Sequence, residues 1–464
     1  MQTPETYRAR RARLADEVGS GLVLLLGNEE APMNYTDNVY HFRQDSTFIY
    51  FAGIKLPHFA VLLDTENGDS SLYGLEATID DIVWMGPQPS LAQLAEGAGI
   101  EKARPFESLA KDIKTAIEKG KQIHYLPPYR GEHALQLSRL MEVPAAQVAG
   151  SASVALIEAI VRQRMVKGDS EILEIERAVD ISGEMHLAAM QQARAGMTEA
   201  QLAGLVEGIA VGGGGNLSYP VILTINGHVL HNHQHHNVLR EGQMVLGDFG
   251  AETANGYAGD ITRTFPVSGR FTSRQRDIYR LVLQTEMEAI QACRPGRQYR
   301  EVHLRAALQI ANGLKDLGLM QGNMEDAVAQ GAHALFFPHG LGHALGLDVH
   351  DMEGLGENYV GYRPGLERSK QFGLKSLRLA RELEPGFVLT VEPGIYFIPQ
   401  LIDIWQKEGK CKDFIRFDRL EAYRDFTGVR VEDNIVITPD GCRILGKPIP
   451  KTVEEVEEIR SSFV

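Results

Sequence analysis

A chain of 464 residues is too long for one small core and points to two domains, while 44% hydrophobic and 23% charged residues exclude a disordered chain. Its 47 Lys and Arg against 61 Asp and Glu leave a formal charge of −14, which argues against nucleic acid, whose affinity comes mainly from phosphates neutralised by basic side chains. Cys293, Cys411 and Cys442 are odd in number and far apart, so no disulfide framework or CxxC metal clip is implied, which suits a reducing compartment.

The first residues carry four arginines before Asp16, like the basic start of a signal peptide, but the apolar run after them stops at Asn28-Glu29-Glu30 and reads as a strand. With no run of ~18 apolar residues to cross a membrane, a cytoplasmic protein without a membrane partner is expected. Over the first third, strands are expected at 21–26, 47–51, 60–63 and 122–126 and helices at 106–118 and 132–141, giving a compact α/β domain. A helix at 154–167 leads to Gly168-Asp169-Ser170, a helix start that places the domain boundary near residue 165. A long amphipathic helix follows at 171–193, and Thr198 to Gln201 and Thr272 to Gln275 both have capping-box spacing ahead of further helices, the second at 277–292. Strands are expected at 244–249, 257–267, 387–397 and 429–437, so that residues 166–464 form a largely antiparallel sheet with helices over one face. The Gly-, Tyr- and Arg-rich stretch 354–371 reads as one long loop.

Chemistry concentrates in that second half. Asp248 and Asp260 each sit in an apolar strand, where an unpaired carboxylate is not tolerated. A two-residue turn at Asn255-Gly256 would turn them to opposite faces; an odd loop centred near Ala254, or a β-bulge, is needed to bring them together. His339, His343 and His350 follow within twelve positions, and Gly340, Gly342 and Gly346 make a glycine-rich loop a better setting than a helix. Glu392 and Glu432 each interrupt an apolar, β-branched stretch. Four such carboxylates would be balanced by two divalent cations, with one imidazole completing the ligands; mostly oxygen donors favour Mn²⁺, with Co²⁺ or Zn²⁺ able to substitute. Two such ions can together deprotonate one water near neutral pH.

These residues carry a resemblance. GDFG…GYAGDITRTFP, HGLGH, TVEPGIY and GVRVEDNIV, in this order between Asp248 and Val436, resemble the metallopeptidases of the pita-bread fold, which include aminopeptidase P, prolidase and methionine aminopeptidase. Phe42-Arg-Gln-Asp-Ser-Thr resembles the amino-terminal domain of the aminopeptidase P and prolidase branch, whose members cleave Xaa-Pro bonds. The fold implied is α+β: a pita-bread catalytic domain over 166–464 behind a smaller α/β domain over 1–165.

The resemblance makes Asp248, Asp260, His343, Glu392 and Glu432 the ligands of two metal ions, with Asp260 and Glu432 bridging. It puts His231, His339 and His350 around the scissile bond and Arg430 behind Glu432. His231 comes from a crowded stretch in which His228, His233, His235 and His236 are expected at the solvated surface. In the mechanism so implied, a bridging hydroxide attacks a carbonyl polarised by metal and His350, while Glu392 shuttles the proton to the proline nitrogen. The Asp pair is one residue further apart than is usual, and Gly-Asp-Phe-Gly replaces Asp-Ala-Gly, so an altered hairpin is expected. Arg378, in Gly373-Leu-Lys-Ser-Leu-Arg378, resembles the arginine with which prolidases hold a dipeptide's carboxylate. Trp84 resembles a tryptophan presented to the neighbouring subunit of a dimer, and Tyr219 and Ile222 resemble pocket-lining residues. Prolidase is therefore the favoured reading and aminopeptidase P the alternative; a non-catalytic peptide-binding member or a metal-free creatinase-like enzyme is disfavoured because all five ligand positions are kept.

Overall fold

The computed structural model describes residues 2–463. The chain divides into two compact units, Met1–Arg164 with Gly354–Tyr359, and Met165–Glu353 with Val360–Val464.

In the first unit β1 (Leu22–Leu26), β2 (Ala60–Asp64), β3 (Ser70–Gly74), β4 (Lys102–Pro105) and β5 (Ile123–His124) form one sheet in the order β4-β3-β2-β1-β5. Antiparallel pairs β1/β2 and β2/β3 are flanked by parallel pairs β1/β5 and β3/β4, so the sheet is mixed. Leu22, Leu24 and Leu62 from the strands pack with Leu109, Ile113 and Leu137 from the helices Ser108–Glu118 and Gly131–Met141. The expected fourth strand shrinks to Ile123–His124.

The strand expected at 47–51 is instead a helix, Ser46–Ala52. Asp45 caps it by accepting from Phe48 N at 2.8 Å, and Gly53, left-handed at φ 69°, closes it by donating to Ile49 O. All seven helical residues are buried, Ser46 and Thr47 included, so no solvent-facing side marks a helical period in the pattern.

The second unit contains β6 (Asn216–Leu217), β7 (Ile222–Thr224), β8 (Met244–Phe249), β9 (Ala251–Glu252), β10 (Ile261–Pro266), β11 (Val388–Val391), β12 (Gly394–Tyr396), β13 (Gly428–Arg430), β14 (Asp433–Ile437) and β15 (Cys442–Ile444). Every pairing here is antiparallel, in the sets β10-β8-β7, β11-β14-β15, β12-β13 and β6-β9. Helices Asp169–Gln192 and Ser273–Ala292 pack against these strands. Thr198 and Thr272 form the expected capping boxes, and Glu171 accepts from Gly168 N at 3.1 Å where the long helix starts.

Two expected long strands are each broken. The 387–397 stretch splits into β11 and β12 at Glu392-Pro393, and 429–437 splits into β13 and β14 at Val431-Glu432. A proline cannot donate to a ladder, so the chain changes partner there: β11 pairs with β14 while β12 pairs with β13. Both glutamates stand at these exchanges. The expected loop 354–371 holds a turn of helix, Glu357–Val360, at its start. Among the described residues no single helix is long and apolar enough to cross a membrane.

Candidate active site

The hairpin sets the first pair of carboxylates. Asp248 lies opposite Thr262 in the β8/β10 ladder, and the isolated bridge of Glu252 with Ala258 keeps the same register. The loop is thus the odd one required, Ala254-Asn255-Gly256, but it is centred on Asn255, one residue later than expected. Gly256 is left-handed at φ 83° and donates to Thr253 O, as a three-residue hairpin demands. Asp248 and Asp260 therefore share a face. Tyr219 reaches between them, its hydroxyl 2.6 Å from Asp248 Oδ1 and 2.5 Å from Asp260 Oδ1. Asn434 clamps Asp260 by its backbone, accepting from the amide at 3.0 Å and donating to the carbonyl.

Glu432 is seated by the neighbouring strand: its amide donates to Thr262 O at 3.1 Å and its Oε2 accepts from Thr262 Oγ1 at 2.6 Å. The histidine loop runs 338–352 without helix, as its glycines imply. A Cβ on Gly342 would lie 2.1 Å from Thr390 O, so only glycine lets this loop lie against β11. His343 Nδ1 is 3.1 Å from Ala344 O, to which it donates, and Nε2 faces Asp260 Oδ2 at 3.2 Å and Glu392 Oε1 at 3.6 Å. Donor atoms of Asp260, His343 and Glu432 lie within 4.8 Å of one another, and all three residues are buried.

Arg430 departs from expectation. Its guanidinium pairs with Asp248 rather than with Glu432 and donates to Tyr396 OH at 2.8 Å. Its Nε donates to Thr262 Oγ1 at 3.0 Å, so its support of Glu432 passes through that threonine.

Burial and mutual repulsion push Glu432 far above the usual carboxylate range, raise Glu392 to about 7 and raise Asp248. Burial acts the same way on Asp260, but His343 and Tyr219 outweigh it and bring that carboxyl down. Three buried carboxylates and the partly exposed Glu392 beside a single guanidinium are short of positive charge. Oxygen donors with one imidazole whose Nδ1 is committed elsewhere suit divalent metal ions, so the residues fit the expected group.

A cleft of about 370 Å³ opens on this cluster. His231, His339, His350, Glu392, Arg378 and Arg430 all line it, with Asp248 and His343 at its inner end. Asp260 and Glu432 are not part of the wall. Tyr219 and Ile222 are not wall residues either: the tyrosine hydroxyl is drawn between the two aspartates, and Ile222 is buried opposite Asp248 in the ladder. Trp84 belongs to the first unit, 83% exposed on the helix Ile79–Met85. Of the other histidines, His233 and His236 are exposed as expected, whereas His228 and His235 are half-buried and His235 Nε2 bonds Val221 O at 3.1 Å.

His339 donates from Nδ1 to Gly340 O at 2.8 Å and accepts at Nε2 from Tyr396 OH, 2.9 Å away. Burial holds it down to about 3, and burial together with His343 brings His350 down to about 4. Glu353 Oε2 faces His350 Nδ1 at 2.5 Å, and Oε1 pairs with Arg378. Thr262, Tyr396, Asn434 and Glu353 escaped the motif reading. Glu353 alone left a signal, a carboxylate three residues after His350.

Residues 174–439 match metallopeptidase family M24, and residues 7–124 match the aminopeptidase P N-terminal domain. The chain is 32% identical over 457 residues to the Xaa-Pro dipeptidase of Homo sapiens, covering 96% of this chain and 90% of that protein. It is 31% identical over 471 residues to the Xaa-Pro aminopeptidase of Escherichia coli strain K12, covering 98% and 97%. Among solved structures, the Pseudomonas aeruginosa aminopeptidase PepP superposes with a TM-score of 0.83 at 29% identity, covering 100% of this chain and 99% of that one. The zinc-substituted Escherichia coli aminopeptidase P in complex with product gives 0.82 at 28%, with the same coverage. A family match over more than half of the chain, and relatives above 30% identity along nearly all of it, agree with the buried donor set: the chain belongs to metallopeptidase family M24, in the pita-bread-fold branch of Xaa-Pro dipeptidases and aminopeptidases P.

Proposed function

We propose that this chain is a prolidase, hydrolysing Xaa-Pro dipeptides, with two divalent ions, Mn²⁺ fitting best, held by Asp248, Asp260, His343, Glu392 and Glu432. The observation that carries the choice of a dipeptide is Arg378, whose side chain shares the wall of one small cleft with His350 and Glu392. A dipeptide's proline ends in a free carboxylate, which a guanidinium holds through two parallel hydrogen bonds. A third residue turns that group into an amide and pushes chain into the space of Arg378, so one arginine both attracts and rejects.

The bond before proline lacks an N–H and has a restricted backbone, which general peptidases handle poorly. When bound, the ions supply an electrophile for the scissile carbonyl and the positive charge that makes a water acidic. Glu392, on the cleft wall, takes the proton of the attacking water on its carboxylate and passes it to the proline nitrogen. His350 keeps Nδ1 on Glu353 and leaves Nε2 to the cleft. It stands on the cleft wall beside the scissile carbonyl oxygen, which it helps to polarise. His231 and His339 flank the substrate, and the Tyr396 hydroxyl fixes the ring of His339.

The test is the ratio of kcat/KM for Xaa-Pro to that for Xaa-Pro-Yaa. The wild type should favour the dipeptide, and Arg378→Ala should lower its turnover by the worth of a charged hydrogen bond, about 1.5 to 3 kcal/mol, narrowing the ratio. Preference for the tripeptide would replace this reading with aminopeptidase P, the activity named for the solved structures that match best in shape among those above.

A homodimer in the cytoplasm is part of the same proposal. The helix Ile79–Met85 buries none of its residues, leaving Ile79, Val83, Trp84 and Met85 at least 70% exposed. Such an apolar surface calls for a covering partner, and a second copy is the one inferred. Val83→Asp should then yield a monomer in sedimentation; a wild type already monomeric would refute this. Three free cysteines fit a reducing compartment, which fractionation of cells would check.

A further inference from the structure

Resting on the prolidase reading, we propose that Glu353 is the positioning residue that aligns both ends of the substrate site at once. One carboxylate touches the two groups meant to meet the substrate: Oε2 lies 2.5 Å from His350 Nδ1, on the carbonyl side, and Oε1 pairs with the Arg378 guanidinium, on the carboxylate side. Both partners line the cleft, and Glu353 itself does not.

Its own place is fixed from below. Glu353 N donates to His350 O at 3.1 Å, closing a tight turn. Inside that turn Met352, buried and left-handed at φ 62°, takes a conformation a side chain of its kind rarely adopts. Asp351 is buried and tied to Lys167 Nζ at 2.8 Å. Such backbone persists where the surroundings over-determine it, and here they aim one carboxylate between an imidazole and a guanidinium. The two contacts leave a third of each side chain exposed, so they add little to stability. What they do is remove rotational freedom from Arg378, a long side chain, and fix which nitrogen of His350 faces the cleft. Holding reacting groups in place is itself worth rate.

The experiment measures kcat and KM for Xaa-Pro and for the amide Xaa-Pro-NH₂, which lacks the carboxylate, in wild type, Glu353→Ala, Arg378→Ala and the double variant. Glu353→Ala should lower kcat on both substrates by between about tenfold and a hundredfold, through His350. It should also narrow the preference for the dipeptide over the amide by about tenfold, mostly in KM, through Arg378. In the Arg378→Ala background the same change should still lower kcat and leave the preference alone. A preference unchanged by Glu353→Ala, widened by it, or narrowed equally with and without Arg378 overturns the proposal. If Glu353→Ala does not fold, Glu353→Gln, equal in size but uncharged, must narrow the preference in the same direction, and failure to do so overturns it. A wild type that prefers the amide would instead refute the dipeptidase reading itself, before any variant is compared.

Discussion

Two histidines outside the site make this protein's stability sensitive to mild acid. His303 and His333 are fully buried with ring centroids 6.4 Å apart, and none of their four ring nitrogens has a hydrogen-bond partner among the described residues. Burial holds His303 down to about 3 and His333 to about 4. In the unfolded chain each returns to ~6.5, so as pH falls the unfolded state takes up protons first. Stability is therefore complete above about pH 7 and is lost between ~6.5 and the folded values. At pH 5 an unfolded imidazole is almost wholly protonated while the folded one is neutral, which costs about 2 kcal/mol per histidine relative to pH 7. The figure depends on the unfolded pKa alone, provided the folded one lies well below 5. Together the pair removes about 4 kcal/mol, a large part of the 5–15 kcal/mol that holds a typical domain folded. His303→Leu should shrink the loss between pH 7 and pH 5 by about 2 kcal/mol, whatever it does to stability at pH 7. Urea unfolding followed by tryptophan fluorescence reads this cleanly. Of the two tryptophans, Trp405 is buried in the same unit as His303, and Trp84 is already exposed. Parallel pH dependences in wild type and variant would refute the reasoning, because they would mean that His303 takes up its proton in the folded state.

Removing divalent ions with a chelator should abolish Xaa-Pro hydrolysis and lower the thermal midpoint, because Asp248, Asp260 and Glu432 are left buried together with Glu392 beside them; a chelated protein with full activity and an unmoved midpoint would rule out metal dependence. Lys167→Met removes a cation tied to buried Asp351, their side chains being 2% and 1% exposed, and should cost up to about 3 to 5 kcal/mol in urea unfolding. Because Asp351 follows His350 directly, kcat should fall in the same variant, and unchanged kcat would show that the pair carries stability alone.

The sequence reading succeeded where composition decides and failed where tertiary pairing decides. Leu22–Leu26 is a continuous apolar run and Met244–Phe249 an apolar run broken only by Gly247-Asp248, with turn signals beyond them, and a strand is what such a run forms here. Ser46–Ala52 is mostly apolar and wholly buried, but a run buried on every side has no face to reveal its period, and only the cap at Asp45 and the left-handed Gly53 distinguish it. The breaks at Glu392-Pro393 and Val431-Glu432 are invisible to pattern, because the residues on both sides suit a strand and only the exchange of partners separates them. In the hairpin, parity alone required an odd loop, while its centre was decided by which residue takes the left-handed position, and that is Gly256.

The same division runs through the site. Metal-ligating and proton-carrying chemistry demands Asp, Glu and His, so those residues stand out in apolar strands as soon as the sequence is read. The residues that hold them are Thr, Tyr and Asn, which any β-sheet can contain, and they gain meaning only from what they touch. Thr262 serves Glu432 and Arg430, Tyr396 serves Arg430 and His339, and the Tyr219 hydroxyl serves Asp248 and Asp260. Of these, Tyr396 joins two residues, Arg430 and His339, that come from separate motifs. Arg430 then links the Thr262 and Tyr396 contacts to Asp248, so that Glu432, Asp248 and His339 belong to one hydrogen-bonded unit. Groups coupled in this way do not act additively: once one contact is lost, its neighbours can shift, and removing a second costs less than it would alone. The five positions proposed as ligands are thus legible singly in the sequence, but the geometry that draws them together is a property of the threonine, tyrosine and arginine between them.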